Sequence, residues 1–332
     1  MPFISVIIAT RNRPSLFAAA LRSVLNQSFQ DIDIVVINDG SDTNYKSAYR
    51  ALLADGTKRL GERLQAHWLD SMFHGHGPAR ARNLGVARAR SDYVAFLDDD
   101  DRWIDPDHLG RVAAVIAGGN CGSPIDLVFA NQAAYVGEAR QPGPLWLERL
   151  AKELEAAERV PGPHGAFRVD APDLMRTSGF CHLNTTVVRR ELYDKLGGID
   201  ETIGWEEDRD LYLRLIDKAR EIRYLPHIVS RHNVPDPNVA QSMTTRLSMI
   251  ERRLYQLRVL DKAALFAEHA EIRHHGLRHK GYALKKIAED LAAAGRPALA
   301  LRYAREALGL QPTLKWTGFT LLLALRAIGQ RP

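Results

Sequence analysis

Residues 93–103 read YVAFLDDDDRW: an apolar run suited to a buried strand, Tyr93–Leu97, leads straight into four consecutive aspartates, Asp98 to Asp101. Carboxylates held that close repel one another unless a cation neutralises them. The simplest reading is a hard divalent ion, Mg2+ or Mn2+, held by one or two of them and shared with phosphates. A solvated acidic turn capping the next helix would look the same in isolation. The neighbouring strand ends decide between the two.

Upstream, Ser5–Thr10 (SVIIAT) is a short β-branched run, punctuated by Asn12-Arg13-Pro14. Pro14 suits the first turn of a helix, and Leu16, Ala20, Leu21, Val24 and Leu25 then recur at helical spacing. Ile32–Ile37 (IDIVVI) is a second strand, stopped by the turn residues Asn38-Asp39-Gly40-Ser41. Leu64–Leu69 is a weaker third strand, and Pro78–Arg90 a helix. Apolar strands interleaved with helices predict a Rossmann-like α/β fold, a mostly parallel central sheet with helices on both faces. Ligands of such sheets sit beyond the carboxyl ends of the strands. Thr10, Asp39 and Asp98 to Asp101 all follow predicted strands, so one edge gathers them.

Asp39 could bond a ribose hydroxyl or a base N–H, or only its own turn. Gly75 and Gly77 open a helix, but Arg80 stands where a dinucleotide fingerprint needs its third glycine. No GxxxxGK[ST] loop occurs either, so a metal would hold any phosphates. Further on, Gly204-Trp205-Glu206-Glu207-Asp208 precedes a helix at Asp208–Ile216. A carboxylate there is a cap or a general base taking a proton from an attacking hydroxyl. Trp205 suits a sugar ring or a core. His232 follows a short final strand, Ile228–Arg231, as a surface or core residue, a third metal ligand or a phosphate contact.

Residues 137–176, rich in Pro, Gly and Glu with a helical stretch at Leu145–Arg159, read as an insertion or mobile segment. Thr185–Arg189 returns to strand. From about Ser242, after Pro235 and Pro237, the pattern is helical, and His279–Pro312 resembles one tetratricopeptide-like hairpin or an Ala-rich helical pair. The expected domains are therefore 1–240, carrying the nucleotide and metal site, and 241–332, an all-helical C-terminal extension.

The chain of 332 residues, 45% hydrophobic and 26% charged, is of the ordinary globular class. Its net charge of +5 is small and no nucleic-acid type Lys/Arg run occurs, so nucleic acid is not an expected partner. Arg80, Arg82, Arg88 and Arg90 form one basic cluster, a solvated face or a phosphate site; Arg246, Arg252, Arg253 and Arg258 form another, a solvated face or a contact for anionic lipid. Two cysteines, Cys121 and Cys181, leave no disulfide framework and point to a reducing compartment, and zinc is not expected. No apolar run reaches the roughly 20 residues of a membrane span. The apolar segment Trp316–Leu325 suits packing within the protein or peripheral contact with the inner face of a membrane, the expected location otherwise being the cytoplasm.

The stretches SVIIATRNRPSLFAAALRSVLNQSFQDIDIVVINDGSD, GPARARNLGVARARSDYVAFLDDDDRW and VVRRELYDKLGGIDETIGWEEDRDLYLRL, ending near RHNV, match a known pattern in order and spacing over roughly residues 3–235. The chain resembles the family 2 glycosyltransferases, which adopt the GT-A fold. The resemblance implies transfer of a sugar from a nucleoside diphosphate, UDP favoured, to the hydroxyl of a saccharide or lipid-linked acceptor. Transfer would invert the anomeric carbon and use Mn2+ or Mg2+, in a setting of bacterial surface polysaccharide synthesis. It implies nucleotide-sugar contacts at Thr10, Asp39, Arg82, Asp98 and Asp99, and metal contacts at Asp100, Asp98 and His232. Asp208, paired with Glu207, matches the catalytic base, and Trp205 and Asn184 are placed on the acceptor side. A sugar-phosphate nucleotidyltransferase would want a glycine-rich loop after the first strand, where this chain has ATRNRPS. An inactive nucleotide-binding scaffold would show a broken acidic motif. Sugar, acceptor and oligomeric state stay open.

Overall fold

The computed structural model describes residues 2–119, 123–142, 146–177, 179–234 and 247–328. Cys121, Leu145, Pro235, Pro237, Ser242 and Arg246 lie outside the described residues. The chain separates into two compact units, Met1–Thr202 with Leu211–Asp236, and Ile203–Asp210 with Pro237–Pro332.

The elements run β1 (Ile4–Thr10), α1 (Pro14–Leu25), β2 (Ile32–Asn38), α2 (Thr43–Leu60), β3 (Leu64–Trp68), α3 (Pro78–Arg88), β4 (Tyr93–Phe96), β5 (Arg102–Trp103), α4 (His108–Ala117), β6 (Leu127–Val136) and β7 (Ala139–Arg140). There follow α5 (Leu150–Ala156), β8 (Phe167–Val169), α6 (Ala171–Arg176), β9 (Thr186–Arg189), α7 (Arg190–Lys195), α8 (Glu207–Lys218) and β10 (Ile222–Asn233). β1 and β2 are apolar on both faces because both are covered: Ile4, Val6, Ile8, Ile34 and Ile37 are all fully buried. One cover, α3, comes close because Gly85 has no side chain; a Cβ there would meet Ile7 Cγ2 at 2.3 Å.

The strand order is β3-β2-β1-β4-β9-β6-β10-β5. The long ladders are parallel, as the sequence pattern predicts: β3, β2, β1 and β4 in one set, β6 and β10 in another. β9 runs antiparallel to both β4 and β6 and joins the sets. Register places Thr10 beside Asn38 and Ile7 beside Phe96, so β1, β2 and β4 release their chains at the same edge.

Two sequence expectations are corrected here. The short strand at Ile228–Arg231 is the end of a twelve-residue strand, β10. Pro226 lacks an N–H for the ladder, and the register to β6 shifts between Tyr224 and Ile228 to accommodate it. Within the segment 137–176, β8 pairs with β10, and Leu147, Leu150, Leu154, Phe167 and Leu174 are buried. Its helix α5 is shorter than the stretch read from sequence. A capping box between Asp170 and Asp173 starts α6.

α4 buries His108 at 1% exposure against the Trp103 ring, with neither ring nitrogen hydrogen-bonded. Burial pushes its imidazolium down from 6.5 to about 4. The unfolded chain therefore binds the extra proton first as pH falls, and stability drops between pH 6.5 and 4. Linkage sets the loss at about 2 kcal/mol by roughly pH 5. His108→Leu is expected to flatten that part of a stability-against-pH curve measured by urea unfolding; an unchanged slope would remove His108 as its cause.

In the second unit the helices are α9 (Met249–Phe266), α10 (Ala270–Ala293), α11 (Pro297–Leu310) and α12 (Leu314–Ile328). Ser248 and Glu251 form the capping box that starts α9. α10 and α11 are the helical pair around His279–Pro312, with α10 beginning nine residues earlier at Ala270. Ala288, Ala300, Ala304 and Ala307 lie in a core closed by Leu284, Ile287 and Trp316. The apolar segment Trp316–Leu325 divides by face. Trp316 and Leu323 are buried in that core, with Trp316 Nε1 donating to the Ala304 carbonyl, while Leu321 and Leu325 are exposed. No described helix is long and apolar enough to cross a membrane.

Candidate functional site

The acidic turn is a hydrogen-bonded hub. Asp101 N donates to the Asp98 carbonyl at 3.1 Å and closes the four residues into a turn. Asp98 Oδ1 accepts from Arg82 Nη2 at 2.6 Å. Asp99, buried behind it, accepts from Thr10 Oγ1 at 2.6 Å and Arg13 Nη2 at 2.5 Å. Asp100 accepts from Arg13 Nη1 at 2.7 Å. Asp101, also buried, pairs with His232 Nδ1 at 2.7 Å and accepts from Asn233 N at 2.7 Å and from Asn184 Nδ2. Asn184 Oδ1 in turn accepts from Asp98 N at 2.8 Å, so this side chain clamps both ends of the turn.

Each partner arrives from a different element end: Thr10 from β1, Arg13 from the start of α1, Asn184 from the residues before β9, His232 from β10. The electrostatics follow from this crowding. Burial opposes ionisation of Asp98, but Arg82, His182 and His232 outweigh it and hold the carboxyl well below its usual range. Burial dominates at Asp99 and pushes it up to about 7 despite Arg13. Asp101 is raised by burial against the pull of His232. His232 is raised: its burial is outweighed by Asp101, then Asp98 and Asp100. His182 is lowered by burial, which the nearby Asp98 only partly offsets.

Carboxylate oxygens of Asp98, Asp100 and Asp101 lie within 4.8 Å of one another. Hard oxygen donors at that spacing fit Mg2+ or Mn2+. Asp98 and Asp100 keep 20% and 29% of their side chains exposed, whereas Asp101 keeps none. Asp98 and Asp100 are thus the carboxylates of this group open to solvent. That group does not include His232, whose Nδ1 faces the Asp101 carboxylate at 2.7 Å.

The structure brings Thr10, Arg82, Asp98, Asp99, Asp100, Asn184 and His232 together. Asp39 stands at the end of β2, where its carboxylate accepts from His76 N at 2.8 Å and Gly77 N at 3.0 Å. That cradle requires Gly75, at φ 72°, since a Cβ there would meet Asp39 Oδ2 at 2.4 Å. Of the basic cluster Arg80, Arg82, Arg88 and Arg90, Arg82 pairs with the acidic turn, while Arg90, beyond the end of α3, donates to the Glu62 carbonyl. Glu207 and Asp208 form the first turn of α8, in the second unit, where Asp208 Oδ1 accepts from Arg209 N at 2.8 Å. Trp205, in the same unit, lies under the Arg252 guanidinium, 5.1 Å from ring centroid to Cζ.

Sequence reasoning missed Arg13, Asp101 as a distinct support, His182 and Trp146. Arg13 carried a signal, since it follows β1 as Thr10 does. His182 and Trp146 carried none: their rings lie 5.2 Å and 5.5 Å from that of His232, a proximity set by tertiary packing.

Comparison with known proteins bears on the family and the fold. The model of "Glycosyl transferase family 2" matches residues 5–197. The GalNAc(5)-diNAcBac-PP-undecaprenol beta-1,3-glucosyltransferase of Campylobacter jejuni is 37% identical over 104 residues, 31% of this chain and 31% of that protein. A PGL/p-HBAD biosynthesis glycosyltransferase of Mycobacterium bovis is 28% identical over 275 residues, 76% of this chain and 99% of that protein. The chain spans about a third of the length of several such relatives, 34%, 31% and 37% in three cases. Among solved structures, S. aureus TarS 1–349 with UDP-GlcNAc superposes with a TM-score of 0.67 at 16% identity, covering 93% of this chain and 82% of that one. The mannosyltransferase PcManGT of Pyrobaculum calidifontis gives a TM-score of 0.58 at 21% identity, covering 98% and 86%. The shared architecture is the GT-A fold, and with a family match across more than half its length this chain belongs to glycosyl transferase family 2.

Proposed function

We propose that the protein transfers a sugar from a nucleoside diphosphate sugar, UDP-linked by preference, to the hydroxyl of a saccharide or lipid-linked acceptor, with inversion. The observation that carries this reading is the acidic turn Asp98 to Asp101, set at the carboxyl edge of the parallel strands and ringed by Arg13, Arg82 and His232. Support comes from relatives named as glycosyltransferases, and from fold neighbours solved with UDP-GlcNAc and with GDP-Man and Mn2+.

In this reading Asp39 contacts the ribose or base, and Arg82 and Arg13 face the diphosphate. A divalent ion held by Asp98 and Asp100, with His232 beside them, would supply positive charge to the leaving diphosphate. Asp208 takes the proton of the acceptor hydroxyl as its oxygen bonds the anomeric carbon and the bond to the diphosphate breaks. Attack from the face opposite the leaving group inverts the centre.

The test is a panel of UDP- and GDP-sugars with octyl glucoside as acceptor, followed by NMR of the early product. The expected result is a β-linked product from an α-linked donor. An α-linked product would overturn the single-displacement mechanism, and no nucleotide release from any donor would overturn the transfer reading.

A further inference from the structure

The residues flanking Asp208 share the second unit with helices α9 and α10. Glu206, two positions before Asp208, is a non-glycine residue in the left-handed region, at φ 61°. Such a conformation is strained and persists where its surroundings over-determine it. Its side chain is held by one residue of α9 and by Arg209 of α8, which α10 backs in turn. Gln256 Nε2 on α9 donates to Glu206 Oε1 at 3.1 Å. Arg209 Nη1 reaches Glu206 Oε2 at 3.5 Å, and its Nη2 meets His275 Nε2 of α10 at 3.3 Å. Burial, the neighbouring His279 and Arg209 itself lower His275 to about 3, so its imidazole is neutral and able to accept from Arg209.

Contacts on both sides extend the grip. Gly204 lies against the Tyr255 ring, which a Cβ would meet at 3.0 Å. Lys262 Nζ pairs with the buried Asp210 at 2.7 Å. Arg252, Tyr255 and Gln256, at spacings of three and four, share one face of α9, the face turned to this segment.

We propose that Gln256 is a positioning residue for transfer: its hydrogen bond to Glu206, backed by the Arg209–His275 contact, holds the strained residue from which α8 starts and so sets where the Asp208 carboxylate stands. The inference rests on Asp208 being the base. It makes α9 and α10 part of the catalytic apparatus rather than an appended tail.

Gln256→Ala in the full chain is expected to lower kcat by about 10- to 100-fold, because small displacements of a reacting group cost that much. KM for the UDP-sugar and affinity for UDP should stay within about twofold of wild type. Gln256→Lys, which keeps a donor facing the Glu206 carboxylate, should recover most of the loss. Amide exchange across 203–210 gives a readout independent of turnover, and should accelerate in Gln256→Ala and return towards wild type in Gln256→Lys. Unchanged exchange in Gln256→Ala would overturn the inference, as would a loss of kcat that Gln256→Lys fails to restore. Asp208→Asn assayed beside it separates the two readings. If Asp208→Asn still transfers sugar, the base reading falls and takes this inference with it. If it is inactive while Gln256→Ala behaves as wild type, the positioning role alone falls.

Discussion

Asp208→Asn should lose transfer by roughly 10²–10⁴-fold, the usual contribution of a general base, while binding UDP as the wild type does. The substitution keeps the shape and the first turn of α8 and removes only the group that accepts the proton. That turn carries Glu207, Asp208 and Asp210. Lys262 already neutralises Asp210, which is 2% exposed, so Asp210 is engaged in holding the unit together. Of the other two, Asp208 is the residue that the family resemblance sets as the base, with Glu207 beside it. Removing the base lowers kcat and kcat/KM together, because the proton moves only in the transition state. Glu207→Gln should therefore cost much less than Asp208→Asn, and the reverse order would transfer the role to Glu207. Loss of UDP binding together with transfer in Asp208→Asn would refute the base role, since the defect would then lie in donor binding.

Much of this was legible in the sequence, for a physical reason. Strands buried on both faces must be apolar throughout, so SVIIAT and IDIVVI announce themselves, and any polar residue placed just after them stands at the ligand edge. The same logic found Thr10, Asp39 and the acidic turn. It missed β6 and the first half of β10 because LVFANQAAYV and IRYLPHIVS mix polar residues and a proline into strands that lie deep in the sheet. Within the tetrad the residue types alone separate nothing, and only the family resemblance set Asp98 and Asp100 apart. The structure leaves those two part exposed and buries Asp99 and Asp101, each at 1% exposure. A tight turn makes that separation, together with Asn184, expected from sequence on the acceptor side and found bonding Asp98 N and the Asp101 carboxylate. The second unit hid its part for a further reason. Gln256 meets Glu206 and His275 meets Arg209, each from more than forty residues downstream on otherwise unremarkable helices.

Asp100→Ala should abolish the effect of Mn2+ on UDP affinity, measured by calorimetric titration with the ion and with chelator. Asp100 is the most exposed carboxylate of the cluster, at 29%, and Arg13, which pairs with it, can stay with Asp99 when it is removed. The cost to the fold should be small, because the change relieves repulsion among crowded like charges. Loss of a ligand typically weakens metal affinity by 10–100-fold or more, so the affinity gained with Mn2+ should fall by at least about 1.4 kcal/mol. Asp101→Asn makes the informative contrast. Asp101 does not reach solvent, yet it bonds His232, Asn184 and the Asn233 amide, so its loss should weaken the ion's effect indirectly and also lower the unfolding temperature. If Asp100→Ala responds to Mn2+ as wild type does while Asp98→Asn does not, Asp98 is the principal ligand. If UDP binds the wild type equally with Mn2+ and with chelator, the acidic turn is neutralised by its own arginines and histidines. The positive charge facing the diphosphate would then come from Arg13, Arg82 and His232.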